Sequence, residues 1–181
     1  NQLIPENYCY NFSIALLCAS IHQIKIKDSI ILLKNFKLPK SRSTIHKIFN
    51  SSLLIDSSYN SSFYPIKTLL YEINKIDMNK ILILGDMKEL GEEEIKLHQN
   101  IGNLILNMNK VKSIILIGKI ISKHTYKMIK NKNFKIYKFN NIDEFNLDLK
   151  KLIEKNNLIF VKGSNSLNLK KICKKIVKNK I

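Results

Sequence analysis

Apolar residues recur at helical spacing in the first stretch of the chain. Phe12, Ile14, Ala15, Leu17, Cys18 and Ile21 predict a helix over 11–21. The pattern returns over 27–36, with Asp28 as its expected N-cap. Leu38-Pro39 ends that helix, because a residue before proline is pushed out of helical backbone. Over 45–55 the pattern alternates weakly and closes on Leu53-Leu54-Ile55, which suits a buried strand.

From Asp56 onward short apolar runs alternate with amphipathic stretches. Ile81-Leu82-Ile83-Leu84 predicts a strand ending at Gly85, and 113–117 another ending at Gly118. Further strands are expected over 134–137 and 158–161, the last running into Lys162-Gly163. Helices are expected over 92–108, 120–129, 145–153 and 167–177, the first with Ile95, Leu97, Ile101, Leu104 and Ile105 inward. Short strands alternating with helices define an α/β fold with a mostly parallel sheet. In such sheets ligands bind outside the carboxyl ends of the strands. A site is therefore expected near Gly85-Asp86, Gly118 and Lys162-Gly163-Ser164, and a domain boundary near 54–59.

Composition adds limits. No apolar run approaches the ~20 residues of a membrane span; the longest, from Ile14 to Ile21, is interrupted by Ser20. Asn1 is not an initiator Met, and Glu6 and Asn7 stand where a signal peptide would turn apolar, so the chain is expected to begin inside a larger protein or to be processed. The net charge of +17 raises nucleic acid as a partner. The lysines, however, are spread along a chain crowded with Lys, Ile and Asn, which is a compositional bias. Lys170, Lys171, Lys174, Lys175 and Lys178 fit one solvated helix face. A non-enzymatic basic α/β module that binds RNA or another polyanion stays as the alternative reading. Cys9, Cys18 and Cys173 lack metal-ligand spacing and read as free buried thiols in a reducing cytosol.

Among candidate chemical groups, Asp86 follows a strand and can bind ribose, a cation or a substrate amine, or cap the next helix. Lys162-Gly163-Ser164 combines a point charge, a close-approach glycine and an expected N-cap serine, a set suited to an anion; a capped helix beside a solvated lysine explains it equally. The polar run from Ser57 to Ser62 is a turn or a ligand cradle. His98 shares a helix face with Ile95 and Ile101 and reads as a core or capping histidine. The chain has no GxxxxGK[ST] phosphate loop and no metal-ligand constellation.

Three of these segments, taken in order, resemble the Mur ligase family. Leu54-Ile55-Asp56-Ser57-Ser58-Tyr59-Asn60 resembles LIDDSYNANP. Leu84-Gly85-Asp86-Met87-Lys88-Glu89-Leu90-Gly91, followed by His98 and Gly102, resembles LGDMxELG…H…G, the form found in members that add D-alanyl-D-alanine. Val161-Lys162-Gly163-Ser164 resembles VKGS. Upstream, Asn11 is similar to the second Asn of HNxxNxxAA, and Arg42 to the Arg of PxxR.

The resemblance implies a Rossmann-like C-terminal domain over 55–181, preceded at 1–54 by the tail of the central ATP-binding domain. It implies an ATP- and Mg²⁺-dependent amide ligase of the cytoplasm that joins D-alanyl-D-alanine to UDP-N-acetylmuramoyl-tripeptide in peptidoglycan synthesis. The phosphate loop and the magnesium ligands would lie in upstream domains. Asn11, Arg42, Asp56 and Asn60 would face the nucleotide, with Arg42 also reaching the acyl phosphate as the catalytic group. Asp86, Glu89, Lys162 and Ser164 would line the dipeptide side. Six positions depart from the pattern: Asn7-Tyr8 replaces His-Asn, Ser57 the second Asp, Ser62-Phe63 the Asn-Pro, and Asn165 the final Arg.

Overall fold

The computed structural model describes residues 3, 4 and 8–178; Asn7, set against the family's His, lies outside them. The first two elements are helices, α1 (Tyr8–Ile21) and α2 (Ile26–Lys34). Asp28 is not the cap of α2: Lys25 holds that position, and Asp28 sits in the first turn, where a carboxylate favours the positive end of the helix dipole. The two helices pack on each other, and Phe12 meets Phe36, just past the end of α2, edge to face at 5.2 Å. No side chain of α1 is buried, and Ile14, Leu17 and Ile21 are 60%, 62% and 70% exposed. Cys9 and Cys18, expected to be buried, are therefore exposed on α1, and of the three thiols only Cys173 is buried.

The stretch expected as one strand is a hairpin. β1 (Thr44–Lys47) pairs antiparallel with β2 (Leu53–Ser57). The chain reverses at Asn50 and Ser51, both at φ 54°, the left-handed pair that suits the twist of a tight hairpin. β2 runs across position 54, and β1 is bonded to it, so the sheet takes in residues on both sides of the boundary expected there.

The remaining elements are α3 (Phe63–Asn74), β3 (Asn79–Gly85), α4 (Glu94–Leu106), β4 (Val111–Ile117), α5 (Lys119–Ile129), β5 (Lys135–Phe139), α6 (Leu149–Leu152), β6 (Asn157–Lys162) and α7 (Lys170–Lys178). The strands form one six-stranded sheet in the order β1-β2-β6-β3-β4-β5, parallel except for β1. The mostly parallel α/β sheet expected from the pattern is what forms.

Its central strands are apolar on both faces because helices cover both. Leu82, Leu84, Leu158 and Phe160 face Ile66, Leu70, Ile101, Ile105 and Ile121. Ile81, Ile83, Ile159 and Val161 face Leu149, Leu169, Ile172 and Ile176. Lys80, 1% exposed, survives in this core by donating from Nζ to the carbonyls of Ile76 (2.8 Å) and Met78 (3.1 Å), just past the end of α3.

Several helix limits differ from expectation. α3 has no counterpart in the expected elements; Pro65 lies in its first turn, where no intrahelical N–H is needed, and Ile66, Leu69, Leu70 and Ile73 bury at helical spacing. The helix expected over 145–153 shrinks to Leu149–Leu152. Ahead of it Asn141 Oδ1 accepts from the amides of Asp143 (2.9 Å) and Glu144 (3.1 Å), so side chains replace helical bonds there. Ser164 does not cap α7 either: it precedes a 3-10 turn at Asn165–Leu167, and Asn168 at φ 53° separates that turn from the helix. No helix among the described residues is long and apolar enough to cross a membrane.

Candidate functional site

The carboxyl ends of β2, β6, β3 and β4 lie side by side, as the parallel register requires. At the β2–β6 side, the loop before β1 and the loop after β2 enclose a pocket of about 290 Å³. Asn11, Arg42, Asn60, Ser61 and Lys162 are on its walls.

Asp56 holds these two loops together. Its carboxylate accepts from Ser41 Oγ at 2.9 Å, from the Ser58 amide at 3.0 Å and from Ser58 Oγ at 2.6 Å. The Tyr59 amide adds a bond to the Ser41 carbonyl at 3.1 Å. Ser41 and Ser43 take left-handed backbone at φ 60° and 55°, which turns Arg42 toward the neighbouring loop. Its guanidinium lies 4.4 Å from the centre of the Tyr59 ring. Behind Asp56, the Cys173 thiol is buried on α7, and burial together with the nearby Asp56 carboxylate pushes its pKa up, so it stays a neutral packing group.

Lys162 ends β6 under the loop after β2. Only 4% exposed, it donates from Nζ to the Asn60 carbonyl at 2.8 Å. Burial, and secondarily the Arg42 charge, lower its pKa to about 8. No salt bridge involves Arg42 or Lys162 among the described residues. Two cations on one pocket without a carboxylate bridging either of them suit an anion.

The residues expected on the nucleotide side and on the dipeptide side do not fall into two separate groups in the fold. Lys162 converges with Arg42, Asn11 and Asn60, the residues expected at the nucleotide. Asp86 is 3% exposed, and its Oδ1 accepts from the Ile121 amide at 2.7 Å, at the start of α5. It thus bonds the start of α5, not that of α4, the next helix along the chain. Gly118 opposite it stands at φ 132°, and a Cβ there would collide with the Asp86 carboxyl carbon. Ser164 is 2% exposed and turned onto Ser166 Oγ at 3.2 Å, while its amide donates to the Asp86 carbonyl at 3.0 Å. Glu89 is exposed at φ 61° and lies apart from the pocket.

His98 is the buried core histidine its helix face suggests. The Met87 amide donates to Nε2 at 3.0 Å, which leaves Nδ1–H to donate to the Glu94 carbonyl at 2.7 Å. Burial lowers its pKa, so it is a neutral brace between α4 and the loop after β3. Ser61 and Ser62, the end of the polar run from Ser57, line the pocket; in the motif resemblance Ser62 stands only as a departure and Ser61 is not marked.

A mostly parallel α/β sheet with a pocket at its strand ends is a frame in which ligands bind beyond the carboxyl ends of the strands. No protein-family model matches the chain. Curated relatives do. The UDP-N-acetylmuramoyl-tripeptide–D-alanyl-D-alanine ligase of Rickettsia prowazekii is 32% identical over 170 residues, covering 93% of this chain and 37% of that protein. The ligase of the same name from Buchnera aphidicola subsp. Baizongia pistaciae is 32% identical over 174 residues, with 93% and 36% covered.

Among solved structures, MurF from Acinetobacter baumannii matches with a TM-score of 0.80 at 18% identity, over 96% of this chain and 38% of that one. MurF ligase from Thermotoga maritima in complex with ADP matches with a TM-score of 0.73 at 20% identity, over 97% and 39%. The chain belongs to the Mur ligase family, and its fold is that of the family's C-terminal domain. It spans a little over a third of the length of these curated relatives.

Proposed function

We propose that the chain is the C-terminal part of an ATP-dependent amide ligase that adds D-alanyl-D-alanine to UDP-N-acetylmuramoyl-tripeptide in peptidoglycan precursor synthesis. The observation that carries this reading is the convergence of Asn11, Arg42, Asn60 and Lys162 on one pocket, in a chain 32% identical over 170 residues to a ligase of that name. In this reading the Rossmann-like domain takes in β1 as well as 55–181, which the pairing of β1 with β2 supports. The residues before it are the tail of the ATP-binding domain.

In this reaction ATP phosphorylates the peptide carboxylate. The dipeptide amine then attacks the acyl phosphate and releases inorganic phosphate. Most of the catalysis is positioning and charge neutralisation. Arg42 and Lys162 would balance phosphate charge from one side, with Arg42 the group nearest the reacting phosphoryl. Asn11 and Asn60 would hold the nucleoside. Asp56 would act on the nucleotide through the loops it joins rather than by contact, because three donors already occupy its carboxylate.

An anionic nucleotide fits the two cations and the polar walls. Mg²⁺ does not find its ligands here: no group of three His, Cys, Asp or Glu among the described residues can hold a metal ion. No step is therefore assigned to a metal on this chain. The partners are the upstream domains that carry the phosphate loop; the exposed apolar side chains of α1 and α2 supply a face for them. A reaction that consumes ATP and a UDP-linked precursor belongs in the cytoplasm.

The test joins the chain to the two upstream domains of the Rickettsia prowazekii relative. Product formation and phosphate release are followed with UDP-N-acetylmuramoyl-tripeptide, ATP and Mg²⁺. The reading expects amide product that depends on D-alanyl-D-alanine. Phosphate release indifferent to the dipeptide, with no amide product from a folded chimera, overturns it.

A further inference from the structure

Four buried side-chain polar atoms among the described residues have no hydrogen-bond partner: Thr44 Oγ1, Ser61 Oγ, Ser113 Oγ and Asn168 Oδ1. Of these four residues, only Ser61 lines the pocket between Arg42 and Lys162. It is 3% exposed. Its amide is fixed by a 2.8 Å bond to Asn60 Oδ1, so the backbone is held while the hydroxyl is left over. A buried hydroxyl without a partner costs folding free energy, and a fold keeps one where something else supplies the acceptor.

The surroundings say what that acceptor is. Ser61 lies just ahead of α3, a helix of 12 residues whose cap position, Ser62, makes no side-chain cap bond and whose first turn carries no acid. The positive end of the helix dipole is thus left open beside the pocket, with Ser62 and Pro65 on the wall. Arg42 and Lys162 add two cations. A hydroxyl donor, an open helix start and two cations select an oxygen that carries negative charge.

We propose that Ser61 is a ligand-binding residue of this pocket, its Oγ–H donating to a phosphate oxygen of the bound nucleotide at the N-terminus of α3. The inference rests on the nucleotide reading of the pocket and adds a residue that the family motifs do not mark. It also fixes the direction of two independent effects. Removing the hydroxyl takes away an unpaired buried donor from the empty protein and a charge-assisted bond from the occupied one. Fold stability and ligand affinity must therefore move in opposite directions, or affinity must fall alone.

The experiment compares the 181-residue chain with its Ser61→Ala variant. Amide shifts at Tyr59, Asn60, Ser62 and position 61 itself are followed by NMR during titration with ADP and, separately, with D-alanyl-D-alanine. Urea unfolding is measured for both proteins. The expected result is ADP affinity about tenfold or more weaker in the variant, as for loss of a hydrogen bond to a charged group. Dipeptide affinity stays unchanged, and the urea midpoint is unchanged or higher. Equal ADP affinity in the two proteins overturns the inference and leaves the nucleotide reading standing. A lower urea midpoint with equal affinity shows a purely structural hydroxyl and also overturns it. Absence of any ADP-induced shift in the unsubstituted chain overturns the nucleotide reading, and the inference with it. Weakened dipeptide binding with unchanged ADP binding identifies a carboxylate in place of phosphate and overturns the assignment to the nucleotide.

Discussion

Lys162 Nζ lies 2.8 Å from the carbonyl oxygen of Asn60, 102 positions away in the chain. The bond shuts the loop after β2 down onto the end of β6 and keeps a lysine buried within reach of Arg42. Burial first, and Arg42 second, hold its pKa at about 8, against the ordinary 10.5. The folded protein thus gives up this proton more readily than the unfolded chain. From about pH 8 toward the ordinary lysine range the unfolded state binds more protons, so stability rises with pH across that window and is level below it. Urea midpoints measured from pH 7 to 10 should show this rise, and Lys162→Met should remove it. A slope unchanged in the variant would assign it to another group.

Arg42 should separate binding from folding. It is exposed, and its contact with Tyr59 is a surface cation–π pair worth about 0.5–1 kcal/mol. Arg42→Ala should lower ADP affinity by roughly tenfold or more and leave the urea midpoint nearly unchanged. Arg42→Lys should recover only part of the affinity, since an ammonium neither stacks nor binds an oxyanion in two places. Calorimetric titration with ADP decides the matter, and full recovery by lysine would contradict the geometry.

Gly118 should tolerate no side chain. Its φ of 132° is strained for other residues, and a new Cβ would fall on the Asp86 carboxyl group. Gly118→Ala should destabilise the fold by about 2–4 kcal/mol, at the upper end for a single substitution. Denaturant unfolding measures this. Gly91→Ala is the control: φ is 56° there with nothing within 4 Å of a new Cβ, so the loss should be smaller.

His98 should make the fold acid-sensitive. Burial lowers its pKa below the ordinary 6.5, opposed by the Glu94 carbonyl, Asp86 and Glu94, and assisted by His124. Below the ordinary value the unfolded chain takes up a proton that the folded imidazole refuses, so stability falls as the pH drops. Protonation would also remove the acceptor for the Met87 amide. Thermal unfolding between pH 7.5 and 5 should show the loss, and His98→Gln should flatten it.

Hydrogen exchange should divide the chain unevenly. α1 has no buried side chain, whereas β3, β4 and β6 are buried almost throughout. Amides of α1 should exchange orders of magnitude faster than those of β3. Equal protection of Phe12–Ile21 and Ile81–Leu84 would mean that the helix is covered by a second copy.

The sheet is legible in the sequence because parallel strands covered on both faces are continuous apolar runs, and Ile81–Leu84 or Leu158–Val161 admit little else. α3 carries an equally clear signal in Ile66, Leu69, Leu70 and Ile73, hidden behind Pro65 and a serine-rich run. Phe145, Leu149 and Ile153 mislead in the opposite sense: their spacing of four suits a helix, but Asn141 offers the backbone ahead of them closer partners. The pocket is legible only in pieces. Nothing local in the sequence brings Arg42 and Lys162 together, because strand order does that, and the choice for Asp86 between ligand and cap depends on where α5 begins. Ser61 is silent, since an unpaired hydroxyl is visible only once its neighbours are in place.

The position of β6 also carries a consequence for how the molecule comes into being. It is the last strand along the chain, yet it lies between β2 and β3. The amide of Asn157, where it begins, bonds to Ser52, 105 positions earlier. As the polypeptide leaves the ribosome, the β1–β2 hairpin and the β3–β4–β5 layer can each form early, but they face each other across an empty slot with unpaired edges. The pocket gains its lysine and its floor only when the final strand is threaded in. Such late, distant pairing is slow and leaves strand edges open to other chains in the meantime. Assembly of the site is thereby tied to completion of the sheet, and a nascent chain arrested before residue 157 would hold most of the fold without Lys162.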